Sequence, residues 1–532
     1  MSTPATRHTA IVIGAGIAGL AAARVLADRF PEVIVLDRDE LPDSARPRKG
    51  VPQGQHSHIL LAAGQQALEQ IFPGLLEELR SAGALDFDSG RDLHLYRLGA
   101  AWAPVTTGLP FVSLTRPLLE YTMRQQLRRR PQVRFLAATA VSALTGSGDR
   151  IGGVRLDDGR TLDADLVVDA SGRGSRSDRW LADLGWAVPA LEEVKVYVGY
   201  VSRLYRRTPG DLGVPAAFVQ PTPPAGKRIG AALAVEDDRW LVSVGGWHGE
   251  YPAADETGFA LHAESLPDPV IAELTRKAEP LSEPVGYSFP SNRRRRFEEL
   301  EAVPGGYVTV GDAVCSFNPL YGQGMTVAAQ SALALGRIVD LDGPFDADRA
   351  RQFYRDAAGI ALIPWLAALS GDFDYAQTTG TAPPAAALFS RYSTQVQLAA
   401  QVSGTVRAAV LRVQHLLAPP TSLWLPDLVA EVARQARHAE PDAEPAFGHG
   451  AFGRPLWTEH DRHAERIRHA LRTAGLPELT DEQAGFAVEG GAPILAASLD
   501  NRAADYVEPI TAAGYGVTAD PQDPLLLLVE PR

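Results

Sequence analysis

The 532-residue sequence predicts an α/β protein: a three-layer, Rossmann-like dinucleotide-binding domain with an inserted antiparallel-sheet domain, then helices and a small C-terminal α/β extension. Three observations carry this expectation. An apolar strand, a G-x-G-x-x-G corner, a helix and a second strand ending in an acid follow one another between residues 9 and 37. A second strand, glycine corner and helix occupies residues 306–339, nearly three hundred positions later. Between them, short alternating runs bounded by Pro and Gly have the period of half-buried strands.

Residues 10–13 read as the first strand, 20–26 as helix and 32–36 as the second strand. Gly14 permits the tight turn, Gly16 lets backbone approach a pyrophosphate, and Gly19 lets helix and strand pack closely. Ala15 and Ala18 complete the binding turn, and the helix N-terminus offers free N–H groups to an anion. Asp37, 18 residues after Gly19, is placed to accept hydrogen bonds from ribose hydroxyls. Arg38 and Arg48 are the basic residues assigned to the same ligand.

The second corner reads GDAVCSFNPLYGQGM from residue 311 to 325 and precedes a predicted helix over 326–339. If strand 306–310 joins the same parallel sheet, its C-terminal end faces the crevice of the first corner. Asp312 then binds further hydroxyls, Pro319 suits a helical first turn, and Gly322 and Gly324 admit a flat ring. The amides near Leu320–Met325 would stabilise negative charge on that ring. A pyrophosphate, a polyol and a flat ring that becomes anionic on reduction describe FAD.

These motifs resemble the FAD-dependent monooxygenases of the p-hydroxybenzoate hydroxylase superfamily, which pair G-x-G-x-x-G with a distant G-D-A-x-x-x-x-x-P-x-x-G-x-G. Gly311, Asp312, Ala313, Pro319, Gly322 and Gly324 match the second motif. Residues 166–169, followed by Ala-Ser-Gly-Arg, resemble a third family element, with Ala-Ser where many members have Gly. The helix beginning at Arg116 resembles a fourth, which implies that Arg116 contacts the FAD phosphates. The likeness covers about residues 8–370. Stretches 48–61, 171–176 and 291–300 are most similar to the bacterial branch of polyether alkene epoxidases and other polyketide-tailoring flavoenzymes of antibiotic biosynthesis. The resemblance implies an FAD monooxygenase that uses NAD(P)H as a transient co-substrate and O₂. It implies a flavin C4a-hydroperoxide acting on a large apolar, polyketide-like intermediate by alkene epoxidation or hydroxylation. An FAD-bound, non-redox (4+2) cyclase resembling dialkyldecalin synthase is the alternative, because its motifs would look the same. The W-x-W-x-I-P stretch of halogenases is absent.

The predicted organisation is a discontinuous FAD domain (1–75, 112–183, 290–345), a substrate-binding sheet domain (76–111, 184–289), a helical region (346–440) and an extension (441–532). Pro441 to Pro445 read as a linker. Strand, helix and strand are expected over 491–499, 503–513 and 525–529, as a remnant of a redox-inert thioredoxin-like tail.

A net charge of −13 argues against nucleic-acid or anionic-membrane partners. The single cysteine, Cys315, excludes an intramolecular disulfide and a CxxC centre and fits a reducing cytoplasm. No signal-peptide pattern precedes the first strand, so the expected location is cytoplasmic. The apolar stretch 359–371 is too short to span a bilayer and contains Pro364. His56 and His58 form an HxH pair, too few ligands for a metal, and no metal site is expected. They are expected to pack beneath the flavin, with a catalytic or substrate-orienting role as the alternative; no other catalytic residue is identified. His460, His463 and His469 are expected on a solvated helix face, and Arg293–Arg296 in a solvated strand paired with Glu298, Glu299 and Glu301. Cys315 is expected in the core. Trp240 and Trp247 line a substrate pocket or fill the sheet.

Overall fold

In the computed structural model, which describes residues 8–435, 446–480 and 483–532, a five-stranded parallel sheet forms the base. Its order is Tyr307–Thr309, Leu166–Asp169, Thr9–Ile13, Glu32–Leu36, Val133–Leu136. The four strands from Tyr307–Thr309 to Glu32–Leu36 are short and almost wholly buried, as a sheet covered on both faces requires, while the edge strand Val133–Leu136 buries only Val133. The register pairs Ile13 with Leu36 and Asp169, and Asp169 with Thr309. Both glycine corners therefore leave the sheet at the same edge.

Helices Ile17–Leu26 and Gly324–Val339 pack together against the sheet. Gly336 allows this approach: a Cβ there would lie 3.3 Å from Val25 Cβ. A three-stranded antiparallel sheet, Val141–Ser147, Arg150–Leu156 and Thr161–Asp163, completes the third layer.

The second large sheet has eight strands. Its centre is the long strand Leu191–Arg206, flanked by Val285–Arg295 and Arg239–Gly246, with Arg228–Val235 next. The sheet is not wholly antiparallel. Ala216–Val219 runs parallel to Leu93–Arg97, a strand from more than a hundred residues earlier. A non-local pairing of this kind leaves no trace in local alternation.

Beyond the sheets come helices Ala347–Asp372, Ala386–Val402, Gly404–Gln414 and Pro426–Gln435. The first runs through Pro364 instead of stopping there. Among the described residues no helix is long and apolar enough to cross a membrane. The expected linker from Pro441 to Pro445 lies outside the described residues. The last unit carries helices Glu459–Thr473 and Ala503–Ala512 on a four-stranded sheet, Phe486–Glu489, Ile494–Ser498, Leu526–Pro531, Tyr515–Ala519. Every neighbouring pair there is antiparallel, and helix Ala503–Ala512 joins Ile494–Ser498 to Tyr515–Ala519, which run parallel with Leu526–Pro531 between them. It docks on helix Ala386–Val402: the Ala385 N–H donates to Asp523, and Arg391 Nη1 donates to the carbonyls of Gly490 (3.2 Å) and Pro493 (3.0 Å).

Three local expectations need correction. Pro319 opens a separate 3₁₀ turn, Pro319–Tyr321, closed by Gly322 at φ +68°, and the α-helix begins only at Gly324. Arg294 and Arg295 are buried, not solvated. Arg294 pairs with Glu298 (2.8 Å) and Arg295 with Asp178 (2.9 Å), while Arg293 meets Glu193 (2.8 Å) and Arg296 reaches Glu299 (2.6 Å). A run of charges does not reveal which members fold inward. Of the three histidines on helix Glu459–Thr473, His460 and His469 are exposed, but the His463 ring is hydrogen-bonded to Tyr515 Oη (2.8 Å).

Candidate functional site

The first corner is shaped by what a side chain would hit. Gly14 sits at φ +104°, and a Cβ there would lie 2.5 Å from the Ala170 carbonyl oxygen. A Cβ on Gly19 would fall 1.8 Å from the Gly14 oxygen. Gly16 differs: a Cβ would point into open space whose nearest atoms are Nη2 of Arg116 (3.8 Å) and Nη2 of Arg48 (4.0 Å). Helix Ile17–Leu26 has no side-chain cap and no acid in its first turn. Free amide donors and two guanidinium groups thus face one gap, the donor set a diphosphate needs.

Asp37 is buried; its Oδ2 accepts from the Ala15 N–H (2.7 Å), and it pairs with Arg48 (3.1 Å). Arg48 also meets Asp39 (3.1 Å) and Glu120 (3.4 Å), and Glu120 binds Arg116 (2.8 Å). The arginines are thus held by three carboxylates and kept aimed at the gap. Arg38 stands exposed at the rim.

The corners meet directly, since a Cβ on Gly311 would lie 2.7 Å from Ala18 Cβ. The Asp312 carboxylate lines the same cleft and makes no hydrogen bond to any described residue. Burial raises its pKa, while Arg116 and Arg173 pull it back down. Helix Gly324–Val339 also starts without a side-chain cap or an acid in its first turn. Gln323 Oε1 and Thr326 Oγ1 are buried beside it without partners. Met325 is buried and, with Pro319, Gly322 and Gly324, lines the cleft. Unpartnered polar atoms and free amides at this end fit a polar-edged ring; the site passes the chemical test for FAD at both ends.

His56 is buried, its Nδ1 hydrogen-bonded to Ser202 Oγ (2.8 Å) and its ring edge-on to Tyr200, with Nε2 unpartnered. Burial pushes its pKa down to about 4. His58 bonds the His56 carbonyl (2.9 Å) and faces Arg116 (3.4 Å); burial, then Arg116, lowers its pKa to about 3. Both rings are neutral at pH 7.

From the corners the cleft continues into one cavity of about 1820 Å³, bounded by the eight-stranded sheet and helices Ala386–Val402 and Gly404–Gln414. Pockets of roughly 300–1,000 Å³ hold one drug-sized ligand, so this volume fits a cofactor plus a large substrate. Trp247 lines it, whereas Trp240 fills the sheet core, its Nε1 donating to Asp211. Cys315 is buried away from it in the core.

No family model matches the sequence. Protein Rv3254 of Mycobacterium tuberculosis is 33% identical over 406 residues, covering 72% of this chain and 85% of that protein. The chain belongs to the Rv3254 family. Solved structures add the fold. The flavin-dependent brominase Bmp2 matches with a TM-score of 0.55 at 14% identity, over 77% of this chain and 93% of its own. The tetrameric form of 2-methyl-3-hydroxypyridine-5-carboxylic acid oxygenase gives 0.53 at 16%, over 81% and 98%. A mutant of P. aeruginosa PqsL gives 0.51 at 19%, over 76% and 99%. This Rv3254-family chain therefore shares its fold with the flavin-dependent brominase Bmp2, with that oxygenase and with PqsL.

Sequence reasoning missed one polar centre of the site. Asp372, at the end of helix Ala347–Asp372, is fully buried and accepts four hydrogen bonds: from Trp247 Nε1 (2.9 Å), Asn292 Nδ2 (2.7 Å), Asn318 Nδ2 (2.8 Å) and Tyr321 Oη (3.1 Å). It ties the sheet roof to the Asn318–Tyr321 turn. An Asp at the end of a helix that already carries Asp348 and Asp356 gives no sequence signal of four distant partners. Glu120 and Asp39 were missed for the same reason.

Proposed function

We propose that this protein is an FAD-dependent monooxygenase that inserts oxygen into a large apolar, polyketide-like intermediate by alkene epoxidation or hydroxylation. The single observation that carries the reading is one continuous cavity joining the two glycine corners to a mostly apolar chamber. When bound, FAD reduced by NAD(P)H supplies the electrons that activate O₂.

The chain's own residues would do the rest. Arg48, Arg116 and the amides after Gly16 hold the diphosphate, and Asp37 holds the ribose by exchanging its present bonds. Asp312 binds the ribitol. The free N-terminus of helix Gly324–Val339 stabilises negative charge at the ring edge. Asp372 keeps Asn318 and Tyr321 in place. The apolar walls exclude water and orient the substrate. His56 and His58, neutral at pH 7, pack and hydrogen-bond rather than exchange protons. Arg293–Arg296 are spent on ion pairs, so they do not supply a dedicated nicotinamide phosphate site.

The test is NAD(P)H oxidation and O₂ uptake by purified protein with a panel of polyene polyketides, followed by isotope tracing. Label from O₂ appears in the product if the proposal holds. Label from water alone overturns it, and anaerobic turnover without nicotinamide selects the non-redox cyclase instead.

A further inference from the structure

Several arginines line the cavity beyond those assigned to the cofactor, and Arg97 stands apart among them: Arg173 donates to Ser291 and Ser316, Arg391 to the Gly490 and Pro493 carbonyls, and Arg176 is exposed. Arg97 ends strand Leu93–Arg97 and lines the chamber. Its side chain makes no hydrogen bond or ion pair with any described residue. The buried arginines, by contrast, are engaged: Arg294 with Glu298, Arg295 with Asp178, Arg203 with Glu256 and the Ser282 carbonyl, Arg407 with the Ala103 and Leu93 carbonyls. Arg97 is only half-buried, and its uncovered part faces the chamber.

The charged and polar groups around Arg97 do not satisfy it. Tyr321, Asp374 and Tyr375 are near enough to favour its charged form, yet burial outweighs them and lowers its pKa. None of the three makes a hydrogen bond or ion pair with the guanidinium, although the Asp374 carboxylate attracts it from a distance. Tyr321 Oη donates to Asp372 (3.1 Å), Tyr375 Oη to the Gly226 carbonyl (3.0 Å), and Asp374 accepts from Ser390 Oγ (2.5 Å). The nearby wall is apolar, including Leu95, Phe111 and Phe218. A guanidinium left in such a place without a partner is unfavourable, and its planar fork is matched by a carboxylate.

We propose that Arg97 is the anchor for an anionic, carboxylate-class group on the otherwise apolar substrate. The proposal rests on the chamber being the substrate site of the reading above. It also gives that reading a direction. Tyr321 belongs to the turn beside the ring end of the cofactor cleft, so an acid held at Arg97 fixes which part of the substrate chain lies over the ring.

The test uses FAD-loaded full-length protein and two fluorescent probes, pyrenebutyrate and its uncharged methyl ester. Wild type binds the carboxylate about 10- to 100-fold more tightly than the ester. Arg97→Met loses that preference by weakening carboxylate binding alone, and Arg97→Lys keeps part of it. Equal affinities in wild type, or a preference that survives in Arg97→Met, overturn the proposal. So does a selective loss of NADPH over NADH use in Arg97→Met with probe binding intact, which would make the anion a cofactor phosphate. If Arg97→Met does not fold, the wild-type acid–ester comparison and Arg97→Lys decide. Failure of the flavin reading is separate: it shows as wild-type protein that takes up no flavin, whatever the probes do.

Discussion

Replacing Asp372 by Asn keeps the side-chain shape and removes one buried charge. Its carboxyl has a pKa raised to about 6 by burial, with the four donors opposing that rise. The sign follows from linkage. The charged form is the one penalised in the folded state, so this group favours folding most below its ordinary 3.8 and loses that contribution as pH rises through about 6. The full difference is about 3 kcal/mol at pH 7. Between pH 7.5 and pH 5 wild type regains about 1.4 kcal/mol of it, and Asp372→Asn regains none. The variant also sets its new amide against Asn292 Nδ2, which cannot turn over because Asn292 Oδ1 accepts from the Asn318 N–H (2.5 Å). That unsatisfied donor costs about 1–3 kcal/mol at every pH. The assay is thermal unfolding of both proteins at the two pH values. Going to the lower pH, the Tm of wild type should rise relative to that of the variant by about 1–2 °C, since the unfolding entropy of a chain this long is about 1 kcal/mol per degree. Other titrating groups, including His56 and His58, cancel in this double difference. A gap independent of pH refutes a charged, desolvated Asp372.

The glycine corners predict a contrast. Gly19→Ala places a methyl on the Gly14 carbonyl and costs about 1–3 kcal/mol or more, so folded, flavin-bearing protein should be lost. Gly16→Ala meets no protein atom closer than 3.8 Å, so it should fold normally yet fail to hold FAD, as flavin content per protein would show. Asp312→Asn should weaken FAD binding by about 10- to 100-fold in a fluorescence titration, the worth of one hydrogen bond to a charged acceptor. For His56 and His58 the lowered folded-state pKa values mean stability present above pH 6.5 and lost as pH falls through about 4 and 3. The pH profile of kcat/KM should therefore show no histidine step near 6.5, and His56→Asn should leave its shape unchanged.

The nucleotide half of the molecule was legible because each of its signals is local. Glu32–Leu36 matches the expected strand residue for residue, and the helix after Gly16 starts only three positions before the apolar pattern suggested. Pro319 misled because a proline marks any first turn, 3₁₀ or α, equally well. The roof was legible as strands but not as a sheet, since pairing Leu93–Arg97 with Ala216–Val219 is decided by packing, not by period. Least visible were the polar centres. Asp372, Glu120 and the Ser202–Ser243 pair beside His56 draw their partners from positions far apart in the chain. Nothing near any of them in sequence distinguishes it from an ordinary surface residue.

The C-terminal unit touches neither glycine corner, yet it clasps helix Ala386–Val402 through Asp523, Gly490 and Pro493, and its Leu499 reaches the cavity. The far wall of the chamber is thus braced by a module the cofactor never sees. Exchanging or reshaping that module would change which guests fit while leaving the redox machinery intact, a division of labour that lets new specificities arise by tail replacement rather than by rebuilding the cradle.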